Sequence, residues 1–527
     1  MTRTRFAPSP TGYLHIGGLR TALYNYLYTK KTDGTFLLRI EDTDRTRLIE
    51  GAMEHLIDTI ERVGLHYDEG PAKEANHGPY IQSERTDLYR KYADQLIKNG
   101  HAYHCFCTPE RLTEMREQQA KNKQAPMYDR TCLKLSADEV KAKIDAGIPS
   151  VIRQKIPHGR QLSFHDHIRG NVNFNTSTID DQVLMKSDNF PTYHLANVVD
   201  DHHMEISHVI RGEEWLPSTP KHILLYKAFG WDVPEFAHIP LLLNKDKSKL
   251  SKRQGDVSVE SYLSKGYCPE AIINFIALLG WHPGEGEENE IYTLEELINL
   301  FSLKKVHKAG AIFDIEKLDW FNYIWNKKKH NKNLAAIAKE IDSKVIIELN
   351  HKKEPVYTFQ NLKYEQEFNN KRGELLKKMV DNYLKPEYTQ DHDLLLKALV
   401  TNEDKILKSS LEINELIHFF YERPHIDPAM VLNEKMKVSK EIAIKGLQKS
   451  IDTLKKLKDF EDLKKLQHTL IDLVQKMELK NGQLLWPIRV ALTAVQFSPG
   501  TFEMLWALGK DESIKRIKST IEALQNS

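Results

Sequence analysis

At about 100 to 200 residues per domain, the 527 residues of this chain are enough for three or four domains that each bury a core. The formal net charge is +1, from 75 basic and 74 acidic residues, so contact with nucleic acid must depend on local basic patches. The sequence has 4 cysteines, no apolar N-terminal segment typical of a signal peptide and no apolar run near the roughly 18 residues of a membrane helix. We therefore expect a reduced, cytoplasmic protein with no membrane segment.

The start of the chain predicts a strand, a loop, a helix and a second strand. A short strand over residues 2–7 ends at a segment with two prolines, a serine and a glycine, which disfavours both helix and strand. Apolar residues at helical spacing over 19–27 predict a helix, and residues 36–40 predict a buried strand. Gly17 and Gly18 allow a ligand to approach the backbone, and the positive end of the helix dipole favours phosphate. The loop is typical of a nucleotide site in an α/β sheet, although a plain turn explains this segment alone equally well.

The following part of the chain predicts two halves of one sheet separated by an insertion. Helices are predicted over 51–64 and 86–99, on the flanks of the sheet. Residues 85–192 combine a charged helical stretch with short strands, and we interpret them as the insertion. The second half of the sheet follows, with a strand over 206–210 and a helix over 218–229.

A lysine-rich loop and a helical region complete the chain. The loop, residues 245–253, follows an apolar strand and has the composition to wrap a polyphosphate, although a run of charge is usually a solvated face. Residues 262–300 predict helices that support it. Residues 326–333 are interpreted as a polar basic linker, which places a domain boundary there. Beyond it the pattern is almost entirely helical, and its lysines are by themselves more typical of solvated helix faces than of an RNA-binding surface.

Two of these segments together resemble the paired signatures of class I aminoacyl-tRNA synthetases. His15-Ile16-Gly17-Gly18 is similar to the "HIGH" signature, and Lys249-Leu250-Ser251-Lys252-Arg253 is similar to the "KMSKS" signature. Gly18 stands where the first signature has its second histidine, so that imidazole has no counterpart here. Residues 6–12, 39–44 and 193–201 resemble bacterial glutamyl-tRNA synthetases, and the resemblance extends over nearly the whole chain.

The resemblance implies an α/β fold with a class I Rossmann-type catalytic domain over residues 1–84 and 193–234. It implies that an α+β insertion at 85–192 binds the acceptor end of tRNA, and that residues 235–325 carry the signature loop and a helical stem-contact domain. Residues 326–527 would then be an all-helical anticodon-binding region with two subdomains. The implied reaction is ligation of L-glutamate to the 3′ end of glutamate tRNA through a glutamyl-adenylate, with ATP and Mg²⁺ as substrate.

Glutamate has two carboxylates and one ammonium group, so its pocket should contain two cations and one anion. Arg5, Arg211 and Glu41 supply that set. The resemblance assigns the two arginines to carboxylates and Glu41 to the amino group, whereas each residue taken alone would be a surface or capping residue. The remaining glutamate-binding residues that the resemblance implies are Ala7, Ser9, Tyr193 and Asn197.

Activation of the amino acid requires groups that neutralise charge on the phosphates of ATP. The resemblance assigns His15 as a donor to phosphate oxygens, and Lys249 and Lys252 as mobile charges for the developing pyrophosphate. A histidine alone at such a position is more often a satisfied turn residue. The ATP site that the resemblance implies consists of Pro8, Thr11, Gly12, His15, Gly17, Gly18, Glu214, Leu242, Lys249, Leu250, Ser251, Lys252 and Arg253.

Two clusters contain metal-binding residue types. The run from Asp200 to His203 favours a structural role, because adjacent side chains on one element point in different directions. Cys105, Cys107 and Cys132 have a spacing that resembles the zinc site of some family members, in which a histidine two residues past the third cysteine completes the tetrahedron. Lys134 occupies that position here, so either His104 or another group substitutes, or the site is empty.

Other functions fit parts of the sequence. A glutaminyl enzyme, or one that also charges glutamine tRNA, keeps the same chemistry, but Arg211 disfavours a neutral amide as substrate. A nucleotidyltransferase without a tRNA partner explains the nucleotide loops and leaves the long helical region without a use. An RNA-binding protein without catalysis is disfavoured, because the residues implied for the reaction are present, namely His15, Glu41, Lys249 and Lys252. No obligate protein partner is evident, and we expect a monomer.

Overall fold

The structure is a computed structural model that describes residues 1–250, 257–284, 286–351, 353–422 and 425–527, with Arg45 described by its main chain only. The chain divides into two compact units, Met1–Phe321 and Asn322–Ser527. Ser251, Lys252 and Arg253 of the predicted ATP site lie outside the described residues. Within these ranges, no helix combines the length and the apolar character that crossing a membrane requires.

The first unit combines parallel and antiparallel strands with helices. Its strands are β1 Arg3–Phe6, β2 Thr35–Leu38, β3 Ala102–Cys105, β4 Val151–Gln154, β5 Gln161–Asp166, β6 Gly170–Asn175, β7 Val183–Met185, β8 His208–Gly212, β9 Glu235–Ile239, β10 Leu242–Leu243 and β11 Ala311–Ile312. Its helices are α1 Ile16–Lys31, α2 Ala52–Arg62, α3 Thr86–Lys98, α4 Pro109–Lys121, α5 Ala137–Asp145, α6 Tyr193–His203, α7 Thr219–Phe229, α8 Val259–Ser264, α9 Pro269–Ala277, α10 Leu294–Leu300 and the start of α11 Ile315–Ile341.

The strand, helix and strand predicted for the N-terminus are confirmed. β1 pairs in parallel with β2, and α1 connects them. Leu19, Leu23 and Leu27 are fully buried, because their spacing places them on one face of α1. Since parallel strands need a crossover of this kind, the loop between β1 and α1 lies at the carboxyl end of β1.

Other strands of the first unit come from two separate parts of the chain. β8 pairs in parallel with β9, and β9 pairs in parallel with β5, which gives the order β6-β5-β9-β8. Strands β3 to β7 all belong to the segment predicted as an insertion. β5 and β6 join the sheet of β8 and β9, whereas β3, β4 and β7 form a separate antiparallel sheet. The second half of the predicted sheet opens with the helix α6, and its strand β8 lies slightly later than the predicted 206–210.

The second unit is helical, as predicted, apart from one antiparallel hairpin that was not predicted from the sequence. The hairpin consists of β12 Ile346–Leu349 and β13 Pro355–Thr358. The helices are α12 Leu362–Val380, α13 His392–Thr401, α14 Glu403–Lys408, α15 Ile413–Tyr421, α16 Pro428–Val431, α17 Lys440–Lys456, α18 Leu463–Lys476, α19 Asn481–Thr493 and α20 Thr501–Asn526.

Residues 326–333, predicted as a polar linker, lie instead within α11. His330, Leu334 and Ala338 are buried and recur at every fourth residue, which is the spacing of one helix face. The lysines between them therefore occupy the remaining faces of a continuous helix, and lysine itself is a good helix former. The linker prediction is wrong because it followed the charge of the segment and missed this spacing.

Candidate active site

A cavity of about 550 Å³ lies where the loop after β1, the start of α6 and the end of β8 meet. Every residue predicted to bind glutamate lines this cavity. From the predicted ATP site, the described residues that line it are Gly18 and Glu214. Several other lining residues were not predicted from the sequence, among them Thr43, Lys186, Thr192 and Trp215.

The wall of the cavity near β1 and β2 is a buried network of opposite charges. Arg5 donates to both carboxylate oxygens of Asp201, with Nε at 2.9 Å from Oδ1 and Nη2 at 3.1 Å from Oδ2. Arg39 donates to Asp201 Oδ1 at 2.7 Å and to Glu41 Oε1 at 3.0 Å. With its amide oxygen turned toward the guanidinium groups, Asn197 accepts from Arg5 at 3.1 Å and from Arg39 at 3.2 Å. The charge of Arg5 is therefore shared with a protein carboxylate before any substrate binds.

Burial and charge act in opposite directions on the two carboxylates of this network. For Glu41, burial raises the pKa above its ordinary value, although Arg39 and Arg5 act against this effect. For Asp201, burial also acts to raise the pKa, but the two neighbouring arginines outweigh it and hold the pKa below its ordinary value. Asp201 is thus the firmly ionised partner of Arg5 and Arg39.

Arg211, at the end of β8, is buried and bonded to neutral groups. Its guanidinium donates to His238 Nε2 at 3.1 Å, to the Tyr193 hydroxyl at 3.1 Å and to Thr219 Oγ1 at 2.9 Å. A further nitrogen, His222 Nδ1, lies 3.2 Å from Nη1. Among the described residues, none of the groups bonded to Arg211 is a carboxylate. The cavity therefore contains a buried positive charge that these bonds leave uncompensated.

The loop predicted to bind nucleotide leads from β1 into the start of α1. His15 is the N-cap residue of this helix, and its Nδ1 accepts from the backbone N–H of Gly17 at 2.9 Å. Side chains at Gly17 and Gly18 would meet the side chains of His15 and Leu14, because an added Cβ would lie 3.2 and 3.1 Å from them. Pro8, Thr11, Gly12, His15 and Gly17 belong to this loop and helix start, outside the residues that line the cavity.

The described part of the lysine-rich loop folds back on β10. The backbone N–H of Leu250 donates to the Leu242 carbonyl at 2.9 Å, and that of Asn244 donates to the Ser248 carbonyl at 2.8 Å. Leu242 and Leu250 are buried, whereas Lys249 is exposed. This turn thus anchors the loop on both sides of Lys249.

Comparison with known proteins identifies the family to which this chain belongs. The family described as "tRNA synthetases class I (E and Q), catalytic domain" matches residues 1–320, and "Anticodon binding domain" matches residues 374–521. The glutamate–tRNA ligase of Chloroherpeton thalassium is 43% identical over 530 residues, which cover 99% of this chain and 98% of that protein. The glutamate–tRNA ligase of Pelodictyon phaeoclathratiforme is 45% identical, over 98% of this chain and 97% of that protein. The chain belongs to the glutamate–tRNA ligase family.

A solved structure of a family member has the same fold. The crystal structure of a glutamate tRNA ligase from Elizabethkingia meningosepticum in complex with its amino acid is 35% identical, with a TM-score of 0.81 over 99% of each chain. The predicted class I catalytic domain with a helical anticodon-binding part is therefore confirmed for this glutamate–tRNA ligase family member.

The three cysteines predicted as a zinc site do lie together. The sulfurs of Cys105, Cys107 and Cys132 are within 4.8 Å of one another. The nearest candidate for a fourth position is Tyr128, whose hydroxyl is 3.3 Å from the sulfurs of Cys105 and Cys107. His104 bonds elsewhere, with Nδ1 at 3.2 Å from Ser150 Oγ. The group thus offers three thiols and one phenol, which is not among the usual ligand sets of structural zinc.

The run from Asp200 to His203 is structural, as the sequence favoured. Asp200 accepts from Arg85 Nε at 2.7 Å, and Asp201 binds Arg5 and Arg39 as described above. His202 stacks on Trp231 with ring centroids 3.8 Å apart. The side chains point to different partners, which agrees with the expectation for adjacent residues on one helix.

Proposed function

We propose that this enzyme ligates L-glutamate to the 3′ end of glutamate tRNA in two steps with ATP. In the first step, a carboxylate oxygen of glutamate attacks the α-phosphorus of ATP, and pyrophosphate leaves. In the second step, a ribose hydroxyl of the tRNA attacks the carbonyl of the glutamyl-adenylate, and AMP leaves. Membership of the glutamate–tRNA ligase family over nearly the full length of the chain supports this reaction.

The observation that carries the proposal is the charge of Arg211. A buried cation without an anionic partner is unfavourable, so a ligand that brings a carboxylate into the cavity gains a strong charge-assisted contact. The Tyr193 hydroxyl, bonded to the same guanidinium, also lines the cavity. The amide of glutamine would leave the charge of Arg211 uncompensated. We therefore infer that the side-chain carboxylate of glutamate binds here.

The amino group and the second carboxylate of glutamate require charges of both signs on the remaining wall. Glu41 lines the cavity as an anion for the ammonium group, and Arg39 holds one of its oxygens at 3.0 Å. Arg5 lines the same wall, where Asp201 orients its guanidinium. The set of two cations and one anion that glutamate needs is therefore present around one cavity.

The phosphates of ATP would bind at the start of α1 and under the lysine-rich loop. Because Gly17 and Gly18 lack side chains, phosphate oxygens can approach the start of α1 closely, and the positive end of the helix dipole favours them. His15, Lys249 and Lys252 would neutralise charge as pyrophosphate departs. ATP enters with Mg²⁺, which is held mainly by the phosphates and reduces their charge. The protein would then contribute chiefly position and electrostatic stabilisation.

Recognition of tRNA is assigned to two further parts of the chain. We propose that residues 85–192 bind the acceptor end, and that the helical region at 326–527 binds the anticodon. The match of residues 374–521 to an anticodon-binding domain supports the second assignment. The stem-contact role of residues 235–325, the monomeric state and the cytoplasmic location remain predictions.

A charging assay tests the proposed function. The purified protein is incubated with ATP, labelled glutamate and purified tRNA for glutamate or for glutamine, with labelled glutamine as a second amino acid. We expect label on glutamate tRNA that depends on ATP. Charging with glutamine in preference to glutamate would favour a glutaminyl enzyme, and glutamate on glutamine tRNA would identify an enzyme that also charges that tRNA. No charging with either amino acid would contradict the proposal.

A further inference from the structure

Four neutral acceptors hold Arg211 by hydrogen bonds. Because they are neutral, they orient the guanidinium group without compensating its charge. A carboxylate at any of these positions would already neutralise the guanidinium, and the site would lose its attraction for an acidic substrate. The acceptors are His238 Nε2, the Tyr193 hydroxyl, Thr219 Oγ1 and His222 Nδ1. The histidines can act as acceptors only in one protonation state and one tautomer.

Asp166 sets the tautomer of His238. Its Oδ2 lies 2.6 Å from His238 Nδ1, and an ionised carboxylate can only accept, so Nδ1 carries the proton. The lone pair of Nε2 then faces Arg211 Nε and accepts its hydrogen bond at 3.1 Å. Burial lowers the pKa of His238 to about 4, although the bond to Asp166 acts against this effect, so the ring is neutral near pH 7.

Asp166 is itself fixed from several sides. Its Oδ1 accepts from the backbone N–H groups of Ile168 and Arg169 at 2.9 and 2.8 Å, and Oδ2 accepts from the backbone N–H of His238 at 3.1 Å. Asp166 and His238 are both fully buried, and neither lines the cavity. Asp166 ends β5 in the predicted insertion, whereas His238 lies on β9 of the sheet that carries Arg211. The pair therefore lies behind Arg211, outside the lining of the cavity.

We propose that Asp166 and His238 are positioning residues that determine the preference of the site for an acidic substrate side chain. Asp166 keeps His238 as a neutral acceptor, and His238 holds the guanidinium of Arg211 in place without neutralising it. This inference rests on the proposed function, because it assumes that Arg211 binds the carboxylate of glutamate.

The substitution Asp166→Asn tests the tautomer directly. Asparagine keeps an oxygen at the Oδ1 position for the backbone N–H groups of Ile168 and Arg169, and this position also lies 3.3 Å from the backbone nitrogen of His238. Its NH₂ group replaces Oδ2 and faces His238 Nδ1. His238 can then satisfy this donor only if its proton moves to Nε2, where it faces the N–H of Arg211. Two donors would oppose each other, and Arg211 would lose its position while the volume of the core stays nearly the same.

Two substitutions at His238 distinguish the effect of its hydrogen-bond acceptor from the effect of its volume. The side-chain oxygen of glutamine in His238→Gln can take the place of Nε2 as the acceptor for Arg211, whereas His238→Leu fills similar space without an acceptor. A matched control is Glu235→Gln, which makes the same carboxylate-to-amide change beside a histidine. Glu235 lies on the same strand as His238, is exposed, bonds His167 and does not line the cavity.

The measurements are KM and kcat for glutamate in the charging assay, the ratio of kcat/KM for glutamate to that for glutamine, and stabilisation of the fold by glutamate in thermal unfolding. For Asp166→Asn and His238→Leu we expect KM to rise about tenfold or more with a smaller change in kcat, because Arg211 contacts the substrate in the ground state as well as the transition state. In the same two variants, the preference for glutamate over glutamine and the stabilisation of the fold by glutamate should both decrease. His238→Gln and Glu235→Gln should stay within about threefold of the unmodified enzyme.

Equal losses in His238→Gln and His238→Leu would overturn the acceptor role of His238, and an unchanged KM in Asp166→Asn would overturn the tautomer argument. If Asp166→Asn does not fold, the two His238 variants still decide, because they leave Asp166 intact. Failure of the unmodified enzyme to charge glutamate would instead contradict the proposed function, which separates the two conclusions.

Discussion

Arg5 and Asp201 form a buried bidentate ion pair across 196 positions of sequence, with Nε to Oδ1 at 2.9 Å and Nη2 to Oδ2 at 3.1 Å. Asp201 also accepts from Arg39 at 2.7 Å, so a single carboxylate holds two guanidinium groups. The two arginines predicted to bind substrate carboxylates therefore differ. Arg5 shares its charge with the protein, whereas Arg211 has neutral partners.

Replacement of Asp201 should destabilise the first unit strongly. Asp201→Ala leaves two buried guanidinium groups without their common anion, and breaking a buried pair costs about 3–5 kcal/mol. The measurement is the free energy of unfolding from urea titration. The control is Asp58→Ala, which removes an exposed pair with Arg62 at 3.4 Å and should change stability by about 0.5 kcal/mol or less. A loss below about 1 kcal/mol for Asp201→Ala would contradict the assigned role of the pair.

Replacement of Arg211 should affect substrate choice more than stability. Arg211→Ala removes a charge-assisted contact worth about 1.5–3 kcal/mol, or more if it is bidentate, so kcat/KM for glutamate should fall at least about tenfold. The preference for glutamate over glutamine should narrow, because the positive charge distinguishes an acid from an amide. Charging kinetics with both amino acids measure this effect, with the exposed Arg62→Ala as control. Normal glutamate kinetics in the variant would place Arg211 outside the substrate contacts.

The sequence predicted the parts of the site that depend on local pattern. The loop after β1 and the helix α1 could be predicted because proline, glycine and the spacing of Leu19, Leu23 and Leu27 determine structure over a short stretch. The cavity residues were identified through the family resemblance, and the structure brings the predicted glutamate-binding set around one cavity.

The residues that hydrogen-bond and orient the cavity residues could not be predicted from the sequence. Asp201 meets Arg5 and Arg39, and Asp166 meets His238, only after distant segments fold together, with sequence separations of 196, 162 and 72 positions. In the sequence, Asp201 stood out only as a member of the polar run from Asp200 to His203. A structural role was favoured for that run, and the contacts of its side chains agree with it. The buried spacing in α11 was available in the sequence, but the lysines between the buried positions obscured it.

Lys252 lies outside the described residues, so its role is predicted from the sequence alone. Lys252→Ala should lower the rate of amino-acid activation far more than it weakens glutamate binding, because the lysine acts on charge that develops in the transition state. Pyrophosphate exchange in the presence of tRNA measures activation. The control is Lys245→Ala, since Lys245 is exposed and its charge is paired with Asp314 and Glu316 at 3.2 Å. An unchanged turnover number in Lys252→Ala would contradict the assignment.

Stability should fall when the pH is lowered from 7 to 5. Burial is the main cause that lowers the pKa values of His194 and His238 to about 4, against an ordinary value of 6.5. Between pH 6.5 and 4 the unfolded chain therefore binds protons that the folded chain does not, so stability is full above this window and decreases as the pH falls through it. The loss by pH 5 should reach up to about 2 kcal/mol for each histidine.

Urea titrations at pH 7 and pH 5 measure this loss in the free energy of unfolding. His194→Gln should make the dependence on pH smaller, because it removes one of the buried imidazoles. His165→Gln is the control, since His165 is exposed and should leave the dependence unchanged. An unchanged dependence on pH in His194→Gln would contradict the burial of a neutral imidazole at this position.

Zinc should be present at less than one ion per chain in protein purified without chelator. Structural zinc sites require four ligands, usually thiolate or imidazole, and the cluster supplies Cys105, Cys107 and Cys132 with the Tyr128 hydroxyl beside them. Burial raises the pKa of the Cys107 thiol to about 11, which opposes the loss of its proton that metal binding requires. Lys134, at the position of the expected fourth ligand, is exposed.

Elemental analysis against protein concentration measures the zinc content, and Tyr128→Phe is the matched variant. One zinc per chain would contradict this prediction, and its loss in Tyr128→Phe would identify the phenol oxygen as the fourth ligand.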